Sequence, residues 1–321
     1  MEAITAYLPI GTVILFLFLV LSGMHMNHVF AWMNPDLLDP AGDSYDKLLA
    51  NKVSYLNVPW LLIRSAIYIG GWILYRWYAR KQTLAQDDAP EGNVHYYKLV
   101  KASAMFLVFF LITESMMSWD WIMSIDHHWF STLFGWYIFA GMIVSAITTI
   151  AIITIYLKSR GYLDFVNDSH LHDLAKFMFG FSIFWTYLWF SQFMLIWYAN
   201  IPEEVTYYVQ RFDEYKFPFL GMIVLNFALP ILILMNSDYK RLPWFIIMAG
   251  ILVLIGHYID IYIMITPGSV GSNWSFFSPE VIGAALFFLG LFIYIVFNAL
   301  TKAPLLAKGN PFIKESEQFH Y

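Results

Sequence analysis

Residues 132–157 read TLFGWYIFAGMIVSAITTIAIITIYL, twenty-six consecutive positions without a charged side chain. At a rise of 1.5 Å per residue such a helix is about 39 Å long, more than the roughly 30 Å hydrocarbon thickness of a bilayer. It is apolar all round, as expected of a segment whose solvent is lipid. Working outward, seven further intervals carry at most one charged residue each: Ala6 to Met33, Val58 to Tyr75, Ala102 to Ser118, Phe177 to Ile201, Phe217 to Met235, Pro243 to Ile265 and Val281 to Leu300. The chain therefore reads as an all-α integral membrane protein with about eight transmembrane helices.

The composition agrees: 60% of residues are hydrophobic and 13% are charged, far below the roughly 25% charge of a soluble domain. A net charge of -5 without a long basic run excludes nucleic acid as a partner. The lack of cysteine removes thiolate-ligated iron–sulfur clusters, disulfides and Cys-rich zinc sites. No basic n-region or cleavage pattern precedes the first apolar run, so the first helix is expected to be retained.

Thirteen of the 18 Lys and Arg residues fall in the even-numbered loops and the C-terminal tail. The odd-numbered loops hold only Lys47, Lys52, Arg211 and Lys216, and Arg64 lies inside a span. By the positive-inside rule both termini are expected to be cytoplasmic. The opposite face, periplasmic in a bacterium, carries Asp36, Asp39, Asp43, Asp46, Asp126, His127, His128, Glu203 and Glu204. The segment from Glu203 to Lys216 reads as a short amphipathic piece at the interface, with an ordered loop as the alternative. One polytopic domain spans 1–321. Tyr55 with Pro59 and Tyr215 with Pro218 form a weak internal echo, which suggests halves 1–160 and 170–300 and two four-helix bundles.

Ionisable groups in hydrocarbon are costly and usually face a bundle interior or a cavity. His25, His28, Arg64, Glu114, Asp120, His257 and Asp260 qualify, with Gln192 and Asn226 as neutral companions. Counted inward from the periplasmic helix ends, Arg64, Glu114, His28 and Asp260 fall at roughly 10 Å depth and His25, His257 and Gln192 at roughly 15 Å. One polar layer is expected. Arg64 and Glu114 read either as a structural ion pair or as part of a proton or quinone-headgroup site. His257 and Asp260 are three residues apart, hence on one helix face, where a carboxylate orients an imidazole for proton transfer. A haem held by His25 and His257 lacks a small-residue slot around either ligand. His127 and His128 read as solvated surface or a partner contact rather than metal ligands.

The stretch Ser118-Trp-Asp-Trp-Ile-Met-Ser-Ile-Asp-His-His-Trp-Phe-Ser-Thr-Leu-Phe-Gly-Trp-Tyr137, with Leu56-Asn-Val-Pro-Trp-Leu-Leu-Ile-Arg64 and His257-Tyr-Ile-Asp260, resembles the quinone-interacting membrane subunits of bacterial alternative complex III. These belong to the polysulfide-reductase (NrfD-like) membrane-subunit family. The similarity covers most of the chain and is greatest to the second, ActF-like subunit type. It implies an eight-helix core of two four-helix bundles in the bacterial inner (cytoplasmic) membrane. It further implies a place in a quinol:cytochrome c or quinol:oxidase oxidoreductase. The expected partners are a paralogous membrane subunit, an iron–sulfur subunit, a multihaem cytochrome c subunit and lipids. Haem and iron–sulfur clusters would sit on those partners. This chain would bind quinone or quinol, menaquinol being the expected type, or carry protons toward the periplasm, with Asp120 the candidate beside a quinol pocket. Two other readings stand beside it: a secondary transporter, against which only Pro230 interrupts a span, and a structural scaffold subunit.

Overall fold

The computed structural model describes residues 2–89 and 92–320. Among the described residues it is all helix and turn, with no strand, and eight helices are long and apolar enough to cross a membrane. The membrane-length elements are α1 (Ile4–Gly23, its first turn 3-10), α2 (Val58–Asp88), α3 (Val94–Trp121), α4 (Phe134–Ser159), α5 (Asp168–Ala199), α7 (Lys216–Leu234), α8 (Pro243–Ser269) and α9 (Pro279–Leu300). The short helix α6 (Pro202–Asp213) precedes α7. The chain is a multi-pass α-helical membrane protein.

The first expected helix is too long at its far end. Instead of reaching Met33, α1 stops at Gly23, where the Met24 backbone N–H bonds back to the carbonyls of Val20 and Ser22 and His25 takes a left-handed φ of 58°. Histidine is among the few non-glycine residues that tolerate this conformation. Beyond it the chain forms only short 3-10 turns, Ala31–Met33 and Pro35–Leu38. Conversely, α2 and α3 extend well past their apolar stretches, because Gln82, Gln86 and His95 supply hydrogen bonds there. The Gln82 side chain pairs with His95 Nδ1 at 2.9 Å, and Gln86 Oε1 accepts the Tyr96 backbone N–H at 2.9 Å.

The contacts define two units, each drawn from separated stretches of the chain. One comprises Met1–Met24, Val58–Thr113 and Asn273–Phe319. Within it α2 and α3 form a hairpin in which Tyr75 stacks on Phe106 at 3.8 Å and Trp72 Nε1 donates to Thr113 at 3.0 Å. The exposed apolar side chains of its helices, such as Leu17, Ile67 and Leu107, are those suited to lipid.

The other unit comprises His25–Asn57, Glu114–Ser272 and His320–Tyr321. Its spine is the α4–α5 hairpin. Ala140, Val144, Thr148 and Ala151 recur every three or four residues along α4 and are fully buried, as are Ala175, Met178 and Trp185 on α5. Small residues along a seam let backbones approach, which drives helix association where no hydrophobic effect operates. α8 packs against α4 and α7 and is the most enclosed span, 44% of its apolar window being buried. In α7 a π-helical turn, Val224–Ala228, precedes Pro230. A proline lacks the N–H for the carbonyl four residues back, here that of Asn226, and clashes with it, so the widened turn accommodates the ring.

Candidate functional site: a buried polar column around Asp260

Asp260 is the centre of the second unit's polar interior. It lies on α8 with 2% exposure, and both its oxygens accept hydrogen bonds from neighbouring helices. The hydroxyl of Tyr137 on α4 donates to Oδ1, and the indole Nε1 of Trp185 on α5 donates to Oδ2 at 3.1 Å. His257, one turn back along α8, brings Nδ1 to 3.7 Å from the same Oδ2 and meets Trp185 edge to face at 5.3 Å. Gly141 on α4 faces the same ring, and a Cβ there would meet His257 Nδ1 at 3.4 Å, ordinary van der Waals contact.

Toward the end of α8 that faces α6, the column continues through Gln192. Its Nε2 donates to the Tyr208 hydroxyl at 3.2 Å, and its Oε1 accepts from Ser131 at 3.2 Å. Burial pushes the Tyr208 phenol above its ordinary range, so it stays protonated and remains a donor. Tyr137, Gln192, Tyr207, Tyr208 and Asp260 line a cavity of about 10 Å³ together with Trp189, Phe219, Met222, Ile263 and Met264. That volume suits one water; a cavity able to take even benzene is about fifteen times larger.

In the other direction the polar groups lose their partners. His257 Nε2, both side-chain polar atoms of Asn226, Ser182 Oγ and Thr148 Oγ1 are buried without a hydrogen-bond partner among the described residues. They stay close to one line. Gly256 abuts Asn226, Ser182 lies one turn from Trp185 on the same face of α5, and Gly250 abuts Thr148. From Asp260 to Gly250 is about 15 Å of helical rise. Buried polar atoms are rarely left unsatisfied, and internal water is the usual partner.

Gly256 is set by this approach: a Cβ there would lie 2.1 Å from Asn226 Oδ1. Gly256→Ala is expected to lower stability by about 1–3 kcal/mol through overpacking. Asn226→Ala in the same chain should restore part of it, the Leu225 Cβ at 2.9 Å still standing against the new methyl, as read by thermal unfolding in detergent. No recovery in the double variant would show that the two residues do not meet.

α6 closes the column with a cation. The amphipathic segment forms a helix, and Tyr207, Tyr208 and Arg211 face inward from it. Arg211 is 1% exposed, with its guanidinium 3.2 Å from the centre of the Tyr207 ring, which stacks on Trp129 at 3.9 Å. Its NH groups donate to the carbonyls of Tyr207 at 2.8 Å and Ile263 at 3.1 Å. Burial pulls the Arg211 pKa below its ordinary value, opposed by the neighbouring Tyr207 and the Asp126 carboxylate.

Of the residues expected to form one layer, Asp260, His257 and Gln192 come together. His25 and His28 do not join them: they lie past the end of α1 and are exposed. Glu114 and Asp120 are buried on the second-unit part of α3, Glu114 with Oε1 unpartnered among the described residues, but neither lines the cavity at Asp260. Arg64 is half-buried on α2 in the first unit. Tyr137, Trp185 and Arg211 are members of the column that sequence reasoning missed. The i, i+1, i+4 placing of Tyr207, Tyr208 and Arg211 was the signal that could have found the last of these.

Comparison with protein-family models and with curated proteins gives no match.

Proposed function

We propose that this chain is the proton-conducting membrane subunit of a quinol:electron-acceptor oxidoreductase of the alternative complex III type. It would sit in a bacterial inner membrane with both termini cytoplasmic and work with a paralogous membrane subunit, an iron–sulfur subunit and a multihaem cytochrome c. The observation that carries this reading is the Tyr137–Asp260–His257 chain, which places two groups able to exchange protons inside the apolar bundle. Its orientation rests on the distribution of Lys and Arg.

The role favoured is proton transfer rather than quinone binding at Asp260, since a cavity of about 10 Å³ accepts water and not a quinone ring. Asp260 and His257 would pass a proton between Oδ2 and Nδ1, with Tyr137 and Gln192 lining the one-water cavity on one side and His257 Nε2 left open on the other. The transporter reading is weakened by α7, which stays helical through its π turn instead of breaking around a substrate.

Purification from native membranes through a tag on this chain is the test. Haem c absorbance and iron–sulfur signals are expected in fixed ratio to the chain, with quinol-dependent reduction of an acceptor and proton release on the periplasmic side. A chain that purifies intact without redox partners would remove the oxidoreductase assignment.

A further inference from the structure

The second unit holds another cluster of ligating side chains, apart from those around Asp260, which brings Asp46 to two adjacent histidines more than 80 positions later in the sequence. Asp46 Oδ2 lies 3.4 Å from His127 Nε2 and 3.0 Å from His128 Nε2, and the three ligand atoms all fall within 4.8 Å of one another. We infer that Asp46, His127 and His128 form a binding site for a divalent transition metal of the zinc class.

The spacing is what a metal requires. Zinc–nitrogen and zinc–oxygen bonds of about 2.0–2.2 Å at tetrahedral angles put neighbouring ligand atoms about 3.3 Å apart. Two imidazoles and one carboxylate are also the donor set of zinc sites that keep a fourth position for water. The exposure fits that openness, with His128 49% exposed at its side chain while Asp46 and His127 are largely covered.

The ligands are held from behind, as metal ligands usually are. Asp46 Oδ1 accepts the backbone N–H groups of Leu48 and Leu49, capping the Lys47–Ala50 turn and leaving Oδ2 toward the histidines. Lys52 Nζ donates to the His127 carbonyl at 2.7 Å, which fixes the His-His turn against the same segment. A metal here would tie the 25–57 segment to the turn between α3 and α4.

Untagged full-length protein in detergent, stripped with chelator and dialysed against Zn2+ or Co2+, tests the site. One equivalent of metal per chain is expected, with visible d–d absorption for Co2+ and a zinc-dependent rise in unfolding temperature. His127→Ala/His128→Ala should lose all three. Asp46→Asn keeps the Oδ1 cap and should weaken binding by more than the roughly 10–100-fold that loss of a mere orienting partner costs. Equal metal retention by the double histidine variant, or no stoichiometric binding by the wild type at micromolar metal, would overturn the assignment. Neither result depends on redox activity, so the site stands or falls separately from the proposed function.

Discussion

Asp260→Asn is expected to slow quinol-linked proton release by on the order of 100-fold per assembled complex, the lower end of what a positioned acid–base group contributes. Asparagine keeps the shape of the side chain and its Oδ1 can still accept from Tyr137; its Nδ2 cannot accept from Trp185 Nε1, so one buried hydrogen bond is lost where alanine loses two, and assembly should be weakened less. What it loses is the charge beside His257 Nδ1 and the ability to take up a proton. Asp260→Ala separates this from a structural role. It orphans the buried Tyr137 hydroxyl and the Trp185 indole N–H together, at about 1–3 kcal/mol each. The relay reading therefore expects the alanine variant to be both inactive and unstable, and the asparagine variant to be inactive but folded. The measurement is acceptor reduction with proton release in membranes where the amount of complex is quantified. Wild-type rates per complex in Asp260→Asn would leave the scaffold reading as the better account.

How much of this was legible in sequence depends on the range of the interaction. Spans follow from composition, since apolar length against bilayer thickness is a local property, and the eight helices lie where the intervals predict them. Their ends are less legible. α1 ends on backbone geometry at His25 that no hydropathy window registers, and α2 and α3 run on through side-chain hydrogen bonds of Gln82 and Gln86. The same limit governs the site. His257 and Asp260 share a helix face and were visible by spacing, whereas Tyr137 and Trp185 reach Asp260 across 123 and 75 residues. Counting cations by loop assigned Arg211 to a membrane face and said nothing of its direction; helix α6 turns it inward. Likewise the sequence sets His127 beside Asp126, and the fold brings Asp46 to it.

Arg211 is the case where a buried charge has a specific backbone task. Pro267 lies within α8 and has no N–H, so the carbonyl of Ile263, four residues earlier, loses its helical donor. The guanidinium of Arg211 donates to that carbonyl at 3.1 Å. An orphaned buried carbonyl costs about 1–3 kcal/mol, and in apolar surroundings no solvent replaces the donor. The loss of Arg211 also relieves the desolvation of a charge, so the single variant Arg211→Leu mixes two opposing effects. The coupling between the two residues does not. Pro267→Ala restores an N–H at the right position, so it should recover about 1–3 kcal/mol more in the Arg211→Leu background than in the wild type. Unfolding free energies of the four proteins, measured in the same detergent, give this coupling directly. A value within about 0.5 kcal/mol of zero, the range expected of independent sites, would mean that Arg211 does not serve the carbonyl Pro267 leaves open.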